Sequence, residues 1–306
     1  MTAEAPIPGR PDGSGAAVDA VTAVAPGGLR TVLRGVWRDR NGRIGLIVTG
    51  VLVLLAAAAI LGLTPHDPLD QHPDDPLQGP SATYWFGTDQ FGRDVAARTF
   101  AGIAASLRVA LLSVAIAAVI GSIAGVVSGY LGGAWDQVVG RLTDVLFAFP
   151  ATLLALAVIA ALGRGWLNTA IAIAIVYIPI FVRVARGPAL AVREQEYIAA
   201  CRTLGFSTRR ILFRHVLPNV SAPIVVQVTL ALSWAILTEA SLSFLGLGTQ
   251  PPDPSLGLMV SEARNLVTTA WWTMSFPSLA IVIAVIGLNL LGDGLRTALD
   301  PKEVRR

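Results

Sequence analysis

The chain has 306 residues, of which 54% are hydrophobic and only 14% are charged, and its formal net charge is +3. A soluble globular protein carries about a quarter of its residues as Asp, Glu, Lys and Arg, so this composition argues against a freely soluble enzyme and predicts a membrane protein. The single cysteine, Cys201, excludes an intrachain disulfide and a cysteine-ligated metal cluster.

The first feature along the chain is a polar segment, residues 1–43, which we expect to form a flexible cytoplasmic tail. This segment is far longer than the polar start of a signal peptide, and Leu63-Thr64-Pro65 is not a small-x-small cleavage site. The apolar stretch between them, residues 44–63, is therefore interpreted as an uncleaved signal anchor and as the first transmembrane helix.

Six apolar stretches are long enough to cross a membrane, because about 20 residues of helix span roughly 30 Å of hydrocarbon. They lack the polar alternation of an outer-membrane barrel, so the sequence predicts an all-α integral membrane protein. Pro150 and Pro179 lie inside the third and fourth stretches and predict kinks there. The six stretches are residues 44–63, 104–131, 142–162, 167–182, 222–245 and 276–295.

Arginine placement predicts how these helices are oriented. Five arginines between Arg30 and Arg43 precede the first span, and an even number of spans returns the C-terminus to the same side. That side also receives the seven arginines from Arg183 to Arg214, whereas an aspartate-rich run, residues 67–94, lies on the other side. We therefore expect both termini to be cytoplasmic. The predicted units are then an extracytoplasmic segment, residues 64–103, a five-helix core, residues 104–296, and a cytoplasmic tail, residues 297–306.

The sequence carries no pattern for hydrolysing ATP or for binding a catalytic metal. The only lysine, Lys302, is followed by Glu303 and so cannot belong to a P-loop. The histidines His66, His72 and His215 lack a His-Glu-x-x-His context. No catalytic residue and no metal ligand is predicted.

Three carboxylates within or beside the spans leave one alternative open. Asp144, Glu239 and Asp293 could serve a proton-coupled carrier. All three lie near predicted span ends, however, where an exposed or paired carboxylate is ordinary. The run Gly125-Val-Val-Ser128-Gly129 departs from a serine-nucleophile pattern in its spacing, and small residues that pack helices closely explain it better.

The loop between the fourth and fifth spans, residues 193–218, is too long and too patterned to be a mere connector. Apolar residues at helical spacing predict a helix over residues 193–204, and Gly205 supplies a left-handed stop. Ser207 predicts the N-cap of a second helix, residues 208–216, and Pro218 predicts its end. Such a helix–glycine–helix element could lie on anionic lipid or dock a cytosolic partner.

At this point the sequence resembles a known family. Ala199-Ala200-Cys201, followed by Gly205 and by Leu217-Pro218, resembles the "EAA" loop of the permeases of binding-protein-dependent ABC importers. The usual Glu is replaced by Ala199, the third position is Cys201 and the usual Ile is His215. Four further motifs are similar to the second permease of the dipeptide, oligopeptide and nickel importers. They are residues 86–94, 196–205, 239–248 and 292–301.

This resemblance implies the type I ABC importer permease fold, with six transmembrane helices, in a bacterial plasma membrane. It implies a second homologous permease, two ATPase subunits that bind ATP and Mg²⁺, an extracytoplasmic solute-binding protein and membrane lipid as partners, with no nucleic acid and no cofactor on this chain. The implied substrate is a dipeptide or oligopeptide; nickel or another small solute is the alternative, and a proton-coupled carrier is favoured less.

The resemblance also implies roles for individual residues. Those expected to couple to the ATPase are Ala199, Ala200, Cys201, Arg202, Gly205, Phe206, Arg209, Leu217 and Pro218. Residues that could line the translocation path are Phe149, Gln227, Ser233 and Trp234, although each could equally pack against another helix. Asp89, Arg93 and Asp94 could dock the binding protein or belong to a solvated loop.

Overall fold

The computed structural model describes residues 29–299, which are helical apart from their connections and one isolated pairing of Thr88 with Asp94. Residues 1–28 of the predicted N-terminal tail (1–43) and residues 300–306 of the predicted C-terminal tail (297–306) lie outside the described residues. The helices are α1 (Leu29–Arg38), α2 (Arg40–Ile60), α3 (Val95–Leu131), α4 (Gly133–Phe147), α5 (Ala151–Leu162), α6 (Trp166–Arg193), α7 (Glu196–Thr203), α8 (Thr208–Ile211), α9 (Leu217–Asn219), α10 (Ser221–Phe244), α11 (Leu256–Ala263) and α12 (Trp272–Leu299), with a π-helix (Leu212–Val216) between α8 and α9.

Five of these helices are long and apolar enough to cross a membrane: α2, α3, α6, α10 and α12. A sixth crossing results if α4 and α5, which meet at an angle of 94°, form one broken span. One end of the bundle, the arginine-rich end, consists of residues 29–43, 183–220 and 290–299. The opposite end, the aspartate-rich end, consists of residues 61–94 and 246–271.

Three of the six predicted spans differ clearly from the structure in where their helices begin or end. The third stretch, residues 142–162, is covered by α4, which begins earlier at Gly133, and by α5, with a break between the two. Helix α3 begins at Val95 rather than at residue 104, because the Asp94 side chain accepts hydrogen bonds from the amides of Ala96 and Ala97 and so caps the helix earlier. Helix α6 continues past residue 182 to Arg193, so that its last turns project beyond the apolar stretch.

Part of the predicted flexible tail is also ordered as helix. Helix α1 occupies residues 29–38, and the Asp39 side chain then accepts a hydrogen bond from the Gly42 amide at the start of α2. Val36 is buried, and a Cβ on Gly35 would lie 2.8 Å from the Ala298 Cβ in α12. The start of the described chain therefore packs against its end.

The kinks predicted at two prolines have different outcomes. At Pro150 the chain breaks completely: α4 ends at Phe147, α5 begins at Ala151, and Pro150 stands as the residue before the new helix. At Pro179 the helix is not interrupted, since α6 continues through both Pro179 and Pro188.

Helices α3 and α6 make the most extensive helix pairing among residues 29–299, and three glycines allow their close approach. Gly121, Gly125 and Gly129 are spaced four residues apart on one face of α3. A Cβ on any of them would lie within 2.7 Å of a backbone carbonyl oxygen of α6. Those carbonyls belong to Ile178, Val182 and Arg186, so residue numbers rise together along both helices and the pair is parallel. The small-residue interpretation of Gly125 and Gly129 is confirmed.

A second close pairing, between α2 and α12, attaches the first span to the last. Gly42 and Gly45 in α2 lie against Gly294 and Leu291 in α12. Here the residue numbers run in opposite directions, so this pair is antiparallel. The main buried cluster of apolar side chains lies between these two pairs and α10, with Phe181, Ile173 and Ile236 among its fully buried members.

We expect Gly125→Ala to destabilise the protein by about 1–3 kcal/mol, because the added methyl group would overlap the Val182 carbonyl and force α3 and α6 apart. Gly187→Ala is the matched control, since Gly187 is a glycine of the same helix pair with open space around its Cβ position. Thermal unfolding in detergent micelles would measure both. Equal midpoints for the two variants would contradict the glycine contact.

Candidate functional site

The 193–218 loop contains the predicted short helix stopped by a glycine, but this helix begins at Glu196 and not at residue 193, because Arg193 is the last residue of α6. Helix α7 ends at Thr203, and Gly205 adopts a left-handed backbone angle, φ +76°. The Phe206 amide then donates to the Cys201 carbonyl at 3.0 Å, and the Gly205 amide donates to the Arg202 carbonyl at 3.0 Å. These two bonds close the helix end in a Schellman turn, so the predicted glycine stop is confirmed.

The second half of the loop differs from the predicted single helix. Ser207 caps α8 as expected, its hydroxyl accepting from the Arg210 amide. After Ile211 the chain widens into the π-helix, and Pro218 lies inside α9 instead of ending the helix. A proline in a helix clashes with the carbonyl four residues before it, here that of Arg214, and the wider π turn relieves this clash.

The inner face of the loop is anchored on α3 and α6. Ile198, Cys201 and Ile211 are buried against Val126 and Tyr130 of α3 and against Ala185 and Ala189 of α6. Cys201 is a free thiol, 9% exposed, and acts here as a small apolar side chain.

An arginine adds a polar contact to this anchor. The Arg202 guanidinium lies 5.1 Å from the centre of the Tyr130 ring, and its Nε donates to the Tyr130 hydroxyl at 3.2 Å. The loop is thus fixed to the end of α3 by packing, a cation–π contact and a hydrogen bond.

The outer face of the loop carries the remaining residues expected to contact an ATPase. Leu204 is 73% exposed at the tip, and the Arg210 guanidinium lies 4.2 Å from the Phe206 ring centre, covering it. Desolvation raises the pKa of the nearby Tyr197 phenol, which stays neutral and accepts a hydrogen bond from Asn219. Of the nine residues expected to couple to an ATPase, two are half-buried, Phe206 and Leu217, and Cys201 faces inward. The other six are exposed: Ala199, Ala200, Arg202, Gly205, Arg209 and Pro218.

The four residues proposed for a translocation path differ in their exposure. Phe149 and Trp234 are exposed, at 55% and 61%, and Gln227 is half-buried. Ser233 is 1% exposed, and its hydroxyl donates to the Leu230 carbonyl and lies 3.0 Å from Oδ1 of Asn289 in α12. Its burial between α10 and α12 does not fit a residue that lines an open path.

At the aspartate-rich end, two of the three residues expected to dock a partner are buried. Asp94 is 2% exposed: besides capping α3, its Oδ2 lies 2.7 Å from Nδ1 of His66. Arg93 is 5% exposed and donates to Asp89 at 2.6 Å and to Glu262 at 3.3 Å.

A further arginine completes this ionic cluster. Arg98 is 1% exposed, its guanidinium lies 3.7 Å from Asp89 and 3.8 Å from Glu262, and it donates to the Pro68 carbonyl. The motif at residues 86–94 therefore binds the aspartate-rich segment to α3 and α11. On α12, the Trp272 indole donates to the Thr88 carbonyl and the Phe276 ring stacks on Phe86 at 4.0 Å.

Two polar groups within the spans make contacts that only the structure shows. Glu239 is 1% exposed and accepts hydrogen bonds from Ser106 and Ser243, each at 2.6 Å, so it joins α10 to α3. Arg108 is exposed near the start of the apolar residues 104–131 of α3, and its guanidinium lies 4.1 Å from the centre of the Trp166 ring. Charges at the span ends do not point to Arg108; the sequence signal for it is a lone arginine inside residues 104–131.

The chain is similar to several known proteins over most of its length. The model of a family described as "Binding-protein-dependent transport system inner membrane component" matches residues 117–305. The dipeptide transport system permease protein DppC of Alkalihalophilus pseudofirmus is 44% identical over 284 residues, covering 93% of this chain and 92% of that protein. The glutathione transport system permease protein GsiD of Escherichia coli is 43% identical over 291 residues, covering 94% and 96%. The di/tripeptide transport system permease protein DppC of Pseudomonas aeruginosa is 40% identical over 279 residues, covering 88% and 92%.

We expect Asp94→Ala to destabilise the protein by about 1–2 kcal/mol, because α3 loses its N-cap and His66 loses its partner. Asp70→Ala removes an exposed carboxylate from the same segment and should change the stability by less than about 0.5 kcal/mol. The measurement is the thermal unfolding midpoint of each purified variant. If both variants unfold at the midpoint of the unsubstituted chain, Asp94 does not hold this segment.

Proposed function

Because the chain belongs to the family of binding-protein-dependent transport system inner membrane components, we propose that it is the permease subunit of an ATP-driven importer that conducts short peptides across the bacterial inner membrane. This membership confirms the resemblance drawn from the loop and span motifs. Relatives named for dipeptide, di/tripeptide and glutathione transport favour peptides over nickel as the substrate of this chain. They also favour an importer over a proton-coupled carrier.

The observation that carries the coupling role is the two-sided 193–218 loop. Its inner face is packed on α3 and α6, while its outer face presents Leu204 and arginines with no cover from the described residues. A separate ATPase subunit that binds this outer face would supply the ATP and Mg²⁺ site that the chain's own sequence lacks. The loop would then transmit force into the membrane.

The contacts of the loop suit it for that task. The Schellman turn at Gly205 and the contact between Arg202 and Tyr130 make the loop rigid. A displacement of α7 would therefore be transmitted to the ends of α3 and α6. Those two helices are in backbone contact and would move together. Helix α4 would follow, since Arg186 of α6 pairs with Asp136 at 2.5 Å.

The orientation and assembly follow from the same proposal. The arginine-rich end, with the loop and both ends of the described chain, would face the cytoplasm, and the aspartate-rich end would face outward. The complete importer would contain a second permease, two ATPases and an extracytoplasmic solute-binding protein. Since Arg93 and Asp94 are buried, a docked binding protein would contact the segment that they hold in place rather than their own side chains.

The path for the substrate would be completed by the second permease. Trp234 and Phe149 are exposed and remain candidates, together with Gln227. Ser233 is withdrawn from this set, because its hydroxyl is used between α10 and α12.

We expect Gly205→Glu to leave membrane insertion intact but to uncouple ATP hydrolysis from uptake, lowering peptide import at least about tenfold. The substitution puts a bulky charge on the outer face of the loop and strains a left-handed turn by about 1–2 kcal/mol. The measurement is ATP hydrolysis and dipeptide uptake by the assembled importer in proteoliposomes.

Gly133→Glu is the matched control. Gly133 also has a positive φ, +59°, and open space around its Cβ position, but it lies at the start of α4 outside the loop. Both variants carry a similar backbone strain, so only contact with the ATPase should separate them. Normal coupling in Gly205→Glu, or equal loss in both variants, would argue against the loop as the coupling site.

A further inference from the structure

Arg108 is a cation in an unusual place. It lies on α3 inside the apolar stretch that crosses the membrane, where an unpaired charge is costly and marks a functional site by default. Among residues 29–299 it forms no ion pair with any carboxylate. The Trp166 ring supports its guanidinium from one side, at 4.1 Å, and leaves the nitrogen donors free.

The Arg108 side chain lines a cavity of about 370 Å³ near the aspartate-rich end. One wall is the smooth alanine surface of α3, formed by Ala101, Ala104 and Ala105. The facing wall comes from the connection after α10 and contributes Thr249 and Asp253.

The polar groups on the facing wall are also unused within the described part of the chain. The Thr249 side chain is 3% exposed, and its hydroxyl is buried without a hydrogen-bond partner. The Asp253 carboxylate is exposed and forms no ion pair with a described residue, Arg108 included. A buried hydroxyl that lacks a partner is costly, which points to a ligand group or ordered water at this position.

We propose that this cavity binds the charged termini of a peptide in transit, with Arg108 holding the carboxylate and Asp253 holding the ammonium group. The inference rests on the proposed function, which makes peptides the substrate. A short peptide is a zwitterion whose opposite charges lie at separate ends, as Arg108 and Asp253 lie on separate walls. A guanidinium offers two parallel donors to a carboxylate, which suits Arg108 for this role.

The alanine wall would make the peptide specificity of the site broad. Because Ala101, Ala104 and Ala105 present only methyl groups, this wall offers no charge or hydrogen bond that would select one peptide side chain over another. Recognition would then depend on the termini, which all short peptides share.

Site occupancy can be tested directly with a cysteine on the alanine wall. In the assembled importer in nanodiscs, Ala105→Cys would be labelled with a maleimide in the presence of increasing dialanine. The chain without this substitution gives the background, since its Cys201 is buried at the other end of the bundle. Dialanine should slow the labelling, and alanyl-alanine amide should need about tenfold more peptide for the same protection, because it lacks the carboxylate.

Charge variants in the Ala105→Cys background then test which residue binds which end of the peptide. With Arg108→Gln, dialanine and its amide should protect equally and weakly; with Asp253→Asn, N-acetyl-dialanine should protect as well as dialanine. Arg264→Gln and Asp70→Asn are the matched controls, since both residues are exposed, form no ion pair in the described chain and lie outside the cavity. Neither control should change the protection.

Two results would overturn the proposal. One is labelling that dialanine does not slow, as expected if a lipid headgroup or the second permease fills the cavity. The other is an Arg108→Gln variant that still distinguishes dialanine from its amide. Uptake of labelled dialanine by the same importer in proteoliposomes separates this failure from that of the proposed function: import without protection overturns only the cavity, whereas no import of any short peptide overturns the function.

Discussion

The backbone contact between α3 and α6 is the constraint on which the rest of the structure depends. Lipid tails are as apolar as leucine, so apolar side chains alone do not drive two helices together in a membrane, and close packing through small residues must do so. Gly121, Gly125 and Gly129 provide that packing. Because the contact is parallel, the chain between the two helices has to return from the arginine-rich end to the aspartate-rich end. The broken pair α4 and α5 makes this return, with its 94° bend at Pro150.

The same helix pair joins two distant sites. At the arginine-rich end, Tyr130 of α3 receives Arg202 from the 193–218 loop. At the other end, Arg108 of α3 lies on the ring of Trp166, the first residue of α6. Both contacts are cation–π pairs. Both lie on α3 and connect to a neighbouring part of the chain, and the α3 backbone is itself in contact with the α6 backbone. Under the proposed function, a movement of the loop would therefore displace the Arg108 cavity as well, because the pair behaves as one body.

The sequence predicts what depends on local composition and misses what depends on neighbours. The length of the apolar stretches predicted the positions of the spans. Gly205 and Ser207 correctly predicted a helix stop and an N-cap, because both features depend on the local backbone. The early start of α3 depends on Asp94, whose role as a cap is not distinguishable in sequence from that of an exposed docking residue. Ser233 and Trp234 are adjacent in sequence but face opposite ways, one buried at α12 and one exposed, and only the packing of α10 decides which is which.

The departures from the family's loop pattern are explained by the two faces of the 193–218 loop. Cys201 stands at the third position of the "EAA" motif, which faces α3 and α6, and there a small apolar side chain satisfies the packing. Ala199 replaces the usual Glu on the outer face, where no contact within the described chain depends on a carboxylate. The first change therefore preserves the fold of the loop, whereas the second changes the surface offered to a partner. Under the proposed function, the ATPase would bind this loop without an acidic residue at position 199, through Leu204 and the surrounding arginines.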